Sequence, residues 1–204
     1  MYDGHILVLA SASPARRALL RQAGFSPRVV VSGIDESAYR AASSRALAQQ
    51  LADAKAQRVG RMVTHDAAVV VGCDSVLEFD GQTLGKPADE AEALTRWKEM
   101  RGRSGVLHTG HCLIDTNSKQ ELRELASTTV HFADLTDDEI DAYVATGEPL
   151  VVAGAFTLDG LGGWFVEGID GDPSNVIGIS LPLVRRLLAA VGIQVTDLWG
   201  PTTS

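Results

Sequence analysis

Residues 67–74 read Ala-Ala-Val-Val-Val-Gly-Cys-Asp. An almost unbroken apolar run of small and β-branched residues is expected of an interior strand covered on both faces; a half-exposed strand would alternate. With Asp74 at its exit, the run predicts an α/β sheet with a ligand site beyond the carboxyl end of that strand, where such sheets place them. A carboxylate that caps the following turn is the competing reading of Asp74.

Upstream, residues 6–10 form a second buried run. Residues 14–23 follow as a helix with Ser13 as N-cap, Pro14 at the first position and Gly24 as stop. Residues 28–32 predict another strand, and residues 44–62 a long helix with Leu47, Leu51, Val59 and Met62 on its apolar stripe. Downstream, residues 76–79 and 82–84 flank Asp80-Gly81, a type I′ hairpin signal. Asp89 and Glu92 form a capping-box pattern for a helix with Leu94 and Trp97 inside and Gly102 at its end, and Thr136 and Glu139 form a second for a helix that stops at Gly147. Between these helices, residues 105–115 and 122–132 are long strands around Thr116-Asn117-Ser118. Residues 153–171 read as glycine-rich strand, and Ser180-Leu181-Pro182 opens a last helix with Leu183, Leu187, Leu188 and Val191 inside. The expected architecture is mixed α/β, a mixed central sheet flanked by helices. No repeat or linker divides residues 1–204, so one continuous domain is expected, with 200–204 as a loose tail.

Composition limits the function classes. Of the 204 residues, 45% are hydrophobic and 22% charged, which excludes disordered and fibrous chains. The net charge of −8 argues against a nucleic-acid-binding face, because such a surface would repel phosphates. An anionic small ligand then needs local cations and a metal. Cys73 and Cys112 lie in no metal-ligand spacing and suit a reducing compartment. No basic leader precedes residue 6, and no apolar run approaches the ~20 residues that span a bilayer. A soluble cytoplasmic protein without membrane partners is expected.

Five positions carry candidate chemistry. In Ser11-Ala12-Ser13-Pro14-Ala15-Arg16-Arg17 two arginines fall in the first turn of a helix, where the dipole disfavours a cation by roughly 0.3–1 kcal/mol. An anion held by free N–H groups, the Ser11 and Ser13 hydroxyls and the Arg16 fork turns that conflict into attraction. Exposed arginines paired with surface acids are the alternative. Lys55 lies on the stripe expected to face the core, where it either snorkels or meets an anion. Asp35-Glu36 is either a solvated loop or, with Asp74, an oxygen set for Mg²⁺ or Mn²⁺. In Gly85-Lys86-Pro87 the proline stiffens the backbone beside an ammonium suited to phosphate, although a lone loop lysine reads the same way. His108 and His111 point to opposite faces of a strand and cannot share a metal. Gly160-Leu161-Gly162-Gly163 lacks the context of a dinucleotide or P-loop site and is read as backbone passing close to something, a nucleotide base among the options.

Together with Ala153-Gly154-Ala155-Phe156 and Asn175-Val176-Ile177-Gly178, these motifs resemble the Maf family of nucleotide pyrophosphatases in order and spacing from Leu7 to about Leu188. The resemblance implies an elongated, two-lobed inosine-triphosphatase-like fold around a central cleft. It implies metal-dependent release of pyrophosphate from a nucleoside triphosphate, a house-cleaning role against modified nucleotides and a link to septum formation and division arrest. By motif position, Asp74 is the proton acceptor or metal-bound base, Glu36 and Asp35 assist the metal, and Ser11, Ser13, Arg16, Lys55 and Lys86 hold phosphates. A homodimer rests on the resemblance alone. The chain departs from the dTTP/UTP-cleaving branch at Ala15, Ser75 and Asp159, where that branch has arginine, threonine and glutamine. Val151-Val152 replaces its Asp-Lys pair. The 7-methyl-GTP branch matches no better, so base preference stays open, with Asp159 able to accept from a base amino or imino group. A nucleotide-sensing division regulator with negligible turnover is the alternative function.

Overall fold

The computed structural model describes residues 5–65 and 67–199. The expected tail at 200–204 lies outside them. Seven strands form one mixed sheet in the order β2-β1-β3-β5-β6-β7, with β4 paired to β3. They are β1 (Ile6–Leu9), β2 (Arg28–Val29), β3 (Ala68–Phe79), β4 (Gln82–Leu84), β5 (Ser104–Asp115), β6 (Glu121–Phe132) and β7 (Val166–Asp170). The helices are α1 (Pro14–Gln22), α2 (Ser44–Gly60), α3 (Glu90–Met100), α4 (Asp137–Ala145), α5 (Pro173–Ile177) and α6 (Leu181–Ala190).

Local signals hold where turn and cap chemistry is strong. Asp80 and Gly81 both take the left-handed backbone of a type I′ turn, with φ 49° and 73°. Thr136 and Glu139 close a reciprocal capping box on α4. Three expectations change. The second strand shrinks to two residues because only Arg28 and Val29 pair with β1. Most of residues 153–171 is not strand: short 3-10 turns at Ala153–Ala155 and Leu161–Phe165 precede β7, since glycine-rich backbone can follow side-chain partners instead of a ladder. The third change matters most. Asp74 does not end its strand but sits midway along the twelve-residue β3.

The pairing register explains why a cleft nevertheless opens there. On one edge, β3 pairs continuously with β5 from Val69 to Glu78. On the other, β1 covers Ala68 to Val71 in parallel, and β4 begins only opposite Leu77. The edge between them faces no strand. The chain leaving β1 carries Ser11, and the chain leaving β4 carries Lys86, so both flank Asp74. Of three buried apolar clusters, a small one joins Val8, Ala68 and Val70 to Val59 of α2, and two larger ones lie toward the two ends of the long strands. One gathers Leu9, Val71, Leu20 and the α6 leucines; the other gathers Leu77, Leu107 and the aromatic group Trp97, Phe132, Tyr143 and Phe165.

Helix α2 lies against the sheet on Ala48, Leu51, Ala52, Lys55, Ala56 and Val59. Small residues four apart, not a leucine stripe, line this face; Leu47 is half-buried, and Met62 lies beyond the helix end, exposed. The sheet answers with glycines. A Cβ on Gly72 would sit 2.5 Å from the Ala52 carbonyl oxygen and 2.7 Å from the Ala56 nitrogen, and one on Gly110 2.4 Å from the Ala48 oxygen. Backbone cannot yield as a side-chain tip can, so Gly72→Ala is expected to cost about 1–3 kcal/mol in denaturant unfolding. It should also slow turnover, because the same close approach brings Lys55 to Asp74.

His111 joins β5 to the start of α6. Its Nδ1 donates to the Thr109 carbonyl at 3.0 Å, and its Nε2 accepts from the Ser180 amide at 2.9 Å. Burial pushes its pKa down to about 4. A folded pKa below the unfolded value of about 6.5 means that this stabilisation is complete above pH about 6.5 and is lost as pH falls toward about 4. The stability gap between the parent chain and His111→Gln should therefore narrow by up to about 3 kcal/mol across that window, read from denaturant titrations at each pH.

Candidate active site

One cleft of about 1220 Å³ is lined by Ser11, Ser13, Ala15, Arg16, Glu36, Lys55, Asp74, Ser75, Lys86 and Asp159. Residues far apart in the chain thus meet in one cavity. Asp35 is missing from the lining. Its Oδ1 accepts from the Ser37 amide at 3.0 Å and the Ser37 hydroxyl at 2.7 Å, capping the 3-10 turn Glu36–Ala38. These bonds hold its carboxyl below the usual range and tie it to the turn, outside the cleft lining that Glu36 and Asp74 share.

At the centre stands an ion triad. The Lys55 Nζ lies 2.5 Å from Asp74 Oδ1 and 2.6 Å from Glu36 Oε1. Lys55 and Asp74 are each only 7% exposed, so Lys55 is not snorkelling to solvent: it ends on two acids. Burial holds the Asp74 carboxyl above the ordinary carboxylate range, against the pull of the Lys55 ammonium and the Arg16 guanidinium. Asp74 Oδ2 makes no hydrogen bond among the described residues and is free to accept a proton.

Arg16 turns inward. Its Nε donates to the Gly178 carbonyl at 2.6 Å, Nη1 to Ser11 Oγ at 3.1 Å and Nη2 to Ser75 Oγ at 2.9 Å. Three of the five N–H groups are spent on the protein, so the cation in the first turn of α1 is compensated by buried acceptors. Ser75 Oγ lies 2.9 Å from Thr109 Oγ1, extending the network to β5. Ser13 Oγ accepts the Arg16 amide at 3.3 Å as N-cap and keeps its own proton to donate. Lys86 is exposed at the cleft and forms no ion pair among the described residues.

The glycine run 160–163 has an explanation that sequence reading missed. Glu148 Oε1 accepts from Tyr143 OH at 2.8 Å, Thr157 Oγ1 at 2.5 Å and the Gly162 amide at 2.9 Å, while Oε2 accepts from the Leu161 amide at 2.9 Å. A Cβ on Gly160 would meet Glu148 Oε2 at 2.5 Å. The backbone passes close to a carboxylate. The Glu-Pro pair at 148–149 was a visible acid in a turn, but nothing in its spacing pointed twelve residues onward to Gly160. Glu148, Thr157, Asp159, Val151 and Val152 all line the cleft; with the Glu148 carboxylate tied to its donors, Asp159 is the second acid here, beside an apolar wall.

Among the described residues no cluster of three or more His, Cys, Asp or Glu side chains is placed to hold a metal ion. Asp74 and Glu36 do converge on one nitrogen. Two carboxylates suit a hard cation that keeps water and takes substrate phosphate oxygens, as Mg²⁺ does, and do not suit a closed protein cage. No helix among the described residues is long and apolar enough to cross a membrane.

A family model described as Maf-like protein matches residues 6–191. The nucleoside triphosphate pyrophosphatase of Salinispora tropica is 60% identical over 201 residues, covering 97% of this chain and 89% of that protein. That of Streptomyces coelicolor is 60% identical over 195 residues, covering 96% and 95%. That of Microcystis aeruginosa is 51% identical over 193 residues, covering 95% and 98%. Among solved structures, the Staphylococcus aureus Ham1 protein aligns at 12% identity and TM-score 0.39 over 63% of this chain and 72% of that one, too little to carry an argument.

Proposed function

The chain belongs to the Maf family, and from that premise we propose that it is a nucleoside triphosphate pyrophosphatase that cuts between the α- and β-phosphates, with Asp74 as general base. The observation that carries the reading is the buried Asp74 carboxylate, its Oδ1 held by Lys55 and its Oδ2 open to the cleft.

Lys86, Ser11, Ser13 and the locked face of Arg16 grip the triphosphate; fixed donors lower the cost of charge that builds on phosphate oxygens in the transition state. A water beside Asp74 gives its proton to Oδ2 while its oxygen attacks the α-phosphorus in line. The bond from that phosphorus to the α–β bridging oxygen breaks, and pyrophosphate leaves with the electron pair. Burial raises the proton affinity of Asp74 toward what a base at neutral pH requires. Asp74 and Glu36 are the residues that would hold Mg²⁺ or Mn²⁺ arriving with the substrate, and the ion would supply further neutralisation of the phosphates. The acid at Asp159, beside the apolar wall of Val151 and Val152, favours a base that offers an amino or imino proton, and Ala15 and Ser75 leave its neighbourhood less crowded than arginine and threonine would. A cytoplasmic house-cleaning role, as a homodimer and with a bearing on division arrest, completes the proposal.

The test is product identification. Incubated with Mg²⁺ or Mn²⁺ and a panel of ordinary and modified triphosphates in ¹⁸O-water, the protein should yield monophosphate and pyrophosphate, with the label in the monophosphate. Orthophosphate with a diphosphate product, or label in pyrophosphate, overturns the assignment.

A further inference from the structure

Lys86 is an exposed lysine on a loop, yet the backbone around it is pinned on both sides. The Gly85 carbonyl accepts from Arg96 Nη1 at 2.6 Å and from the Gly154 amide at 3.1 Å. The Ala88 amide donates to Glu92 Oε2 at 2.7 Å. Arg96 Nη2 and Glu92 Oε1 are themselves hydrogen-bonded, one turn apart on α3. Pro87 is buried between the two anchor points. Arg96 is 9% exposed and does not line the cleft, so it touches no substrate. A guanidinium reaches a carbonyl and a carboxylate at once because its N–H groups diverge from one plane.

We propose that the Arg96–Glu92 pair is a positioning device that holds Lys86 at the phosphate end of the cleft. It acts by fixing the carbonyl before Lys86 and the amide two residues after it. An ammonium on a flexible stem loses rotamer entropy when it binds a phosphate, and a backbone already fixed leaves only the side chain to order. The Gly85 carbonyl also ties this loop to Gly154, so the clamp keeps the Lys86 loop in register with the wall at Ala153 and Phe156. The inference rests on Lys86 contacting phosphate.

The experiment is a double-mutant cycle read by competitive inhibition with inorganic pyrophosphate, alongside inhibition by the nucleoside monophosphate product. Arg96→Met and Lys86→Ala should each weaken pyrophosphate inhibition about tenfold, as loss of one charge-assisted contact does. The monophosphate constant should stay within about twofold in both, since it reports the other end of the cleft. The double variant should be no worse than Lys86→Ala alone. Multiplying losses, or an Arg96→Met protein with unchanged pyrophosphate inhibition, overturns the clamp. If Arg96→Met does not fold, Glu92→Ala removes the other half of the clamp, the Ala88 anchor and the carboxylate that holds Arg96 Nη2, and must show the same non-additivity with Lys86→Ala. If Lys86→Ala itself leaves pyrophosphate inhibition unchanged, the phosphate role of Lys86 has failed, which is a result separate from failure of the clamp.

Discussion

Asp74→Asn is expected to lower kcat by roughly 10³-fold while leaving the fold intact. The substitution keeps volume and shape, and the amide oxygen still accepts from Lys55, so the ion triad loses a charge but not its contact. What disappears is the buried carboxylate oxygen that lines the cleft without a hydrogen bond among the described residues. An amide has no useful proton affinity, and the attacking water keeps its proton. Substrate affinity should change far less than turnover, because the cations that grip phosphate are untouched and the anionic ligand meets one acid fewer. Steady-state kinetics beside equilibrium nucleotide binding separates the two. Turnover retained within a few fold would falsify the assignment of Asp74. A parent chain that binds nucleotide and never turns it over would favour the sensing alternative.

The second large effect is at Lys55. Lys55→Met keeps most of the buried stem and removes the ammonium that touches Asp74 and Glu36. With that attraction gone, burial pushes the Asp74 carboxyl further up, so more of it is protonated at any given pH and the base is weakened. The expected loss in kcat/KM is about 10²-fold near pH 7, with partial recovery as the pH is raised. The direction follows from the charge: the acidic limb of the rate profile belongs to Asp74, and deleting a cation moves that limb to higher pH. Stability should fall by about 3 kcal/mol near neutrality, the usual result of leaving one partner of a buried pair alone. The loss should shrink on acidification, because protonation neutralises Asp74. A rate profile that only drops without shifting would mean that Lys55 acts on phosphate alone.

Much of this arrangement was legible in the chain. Ser13 before Pro14, Asp80-Gly81 and the Thr136/Glu139 box are short-range signals whose physics is complete within four residues, and all three take the expected geometry. Lys55 stood out because a cation on a buried face requires a partner, and the partner is there. Asp35 and Glu36 were indistinguishable as neighbouring acids. A single hydroxyl at Ser37 separates them, capturing one carboxylate and leaving the other to Lys55.

By itself, the sequence determined the kinds of element outside the glycine-rich stretch 153–171, the buried strand at 67–74 and the set of charged residues from which a site had to be drawn, since periodicity, caps and turns are local. Only the tertiary structure decided where the cleft opens, on the stretch of β3 that β1 has left and β4 has not reached. It also decided that Arg16 spends its donors on Gly178, Ser11 and Ser75, and that the glycine run wraps the Glu148 carboxylate. The reason is physical: a hydrogen-bond donor takes whichever acceptor packing delivers. For Arg16 that acceptor is 162 residues away, a distance over which no local pattern carries information.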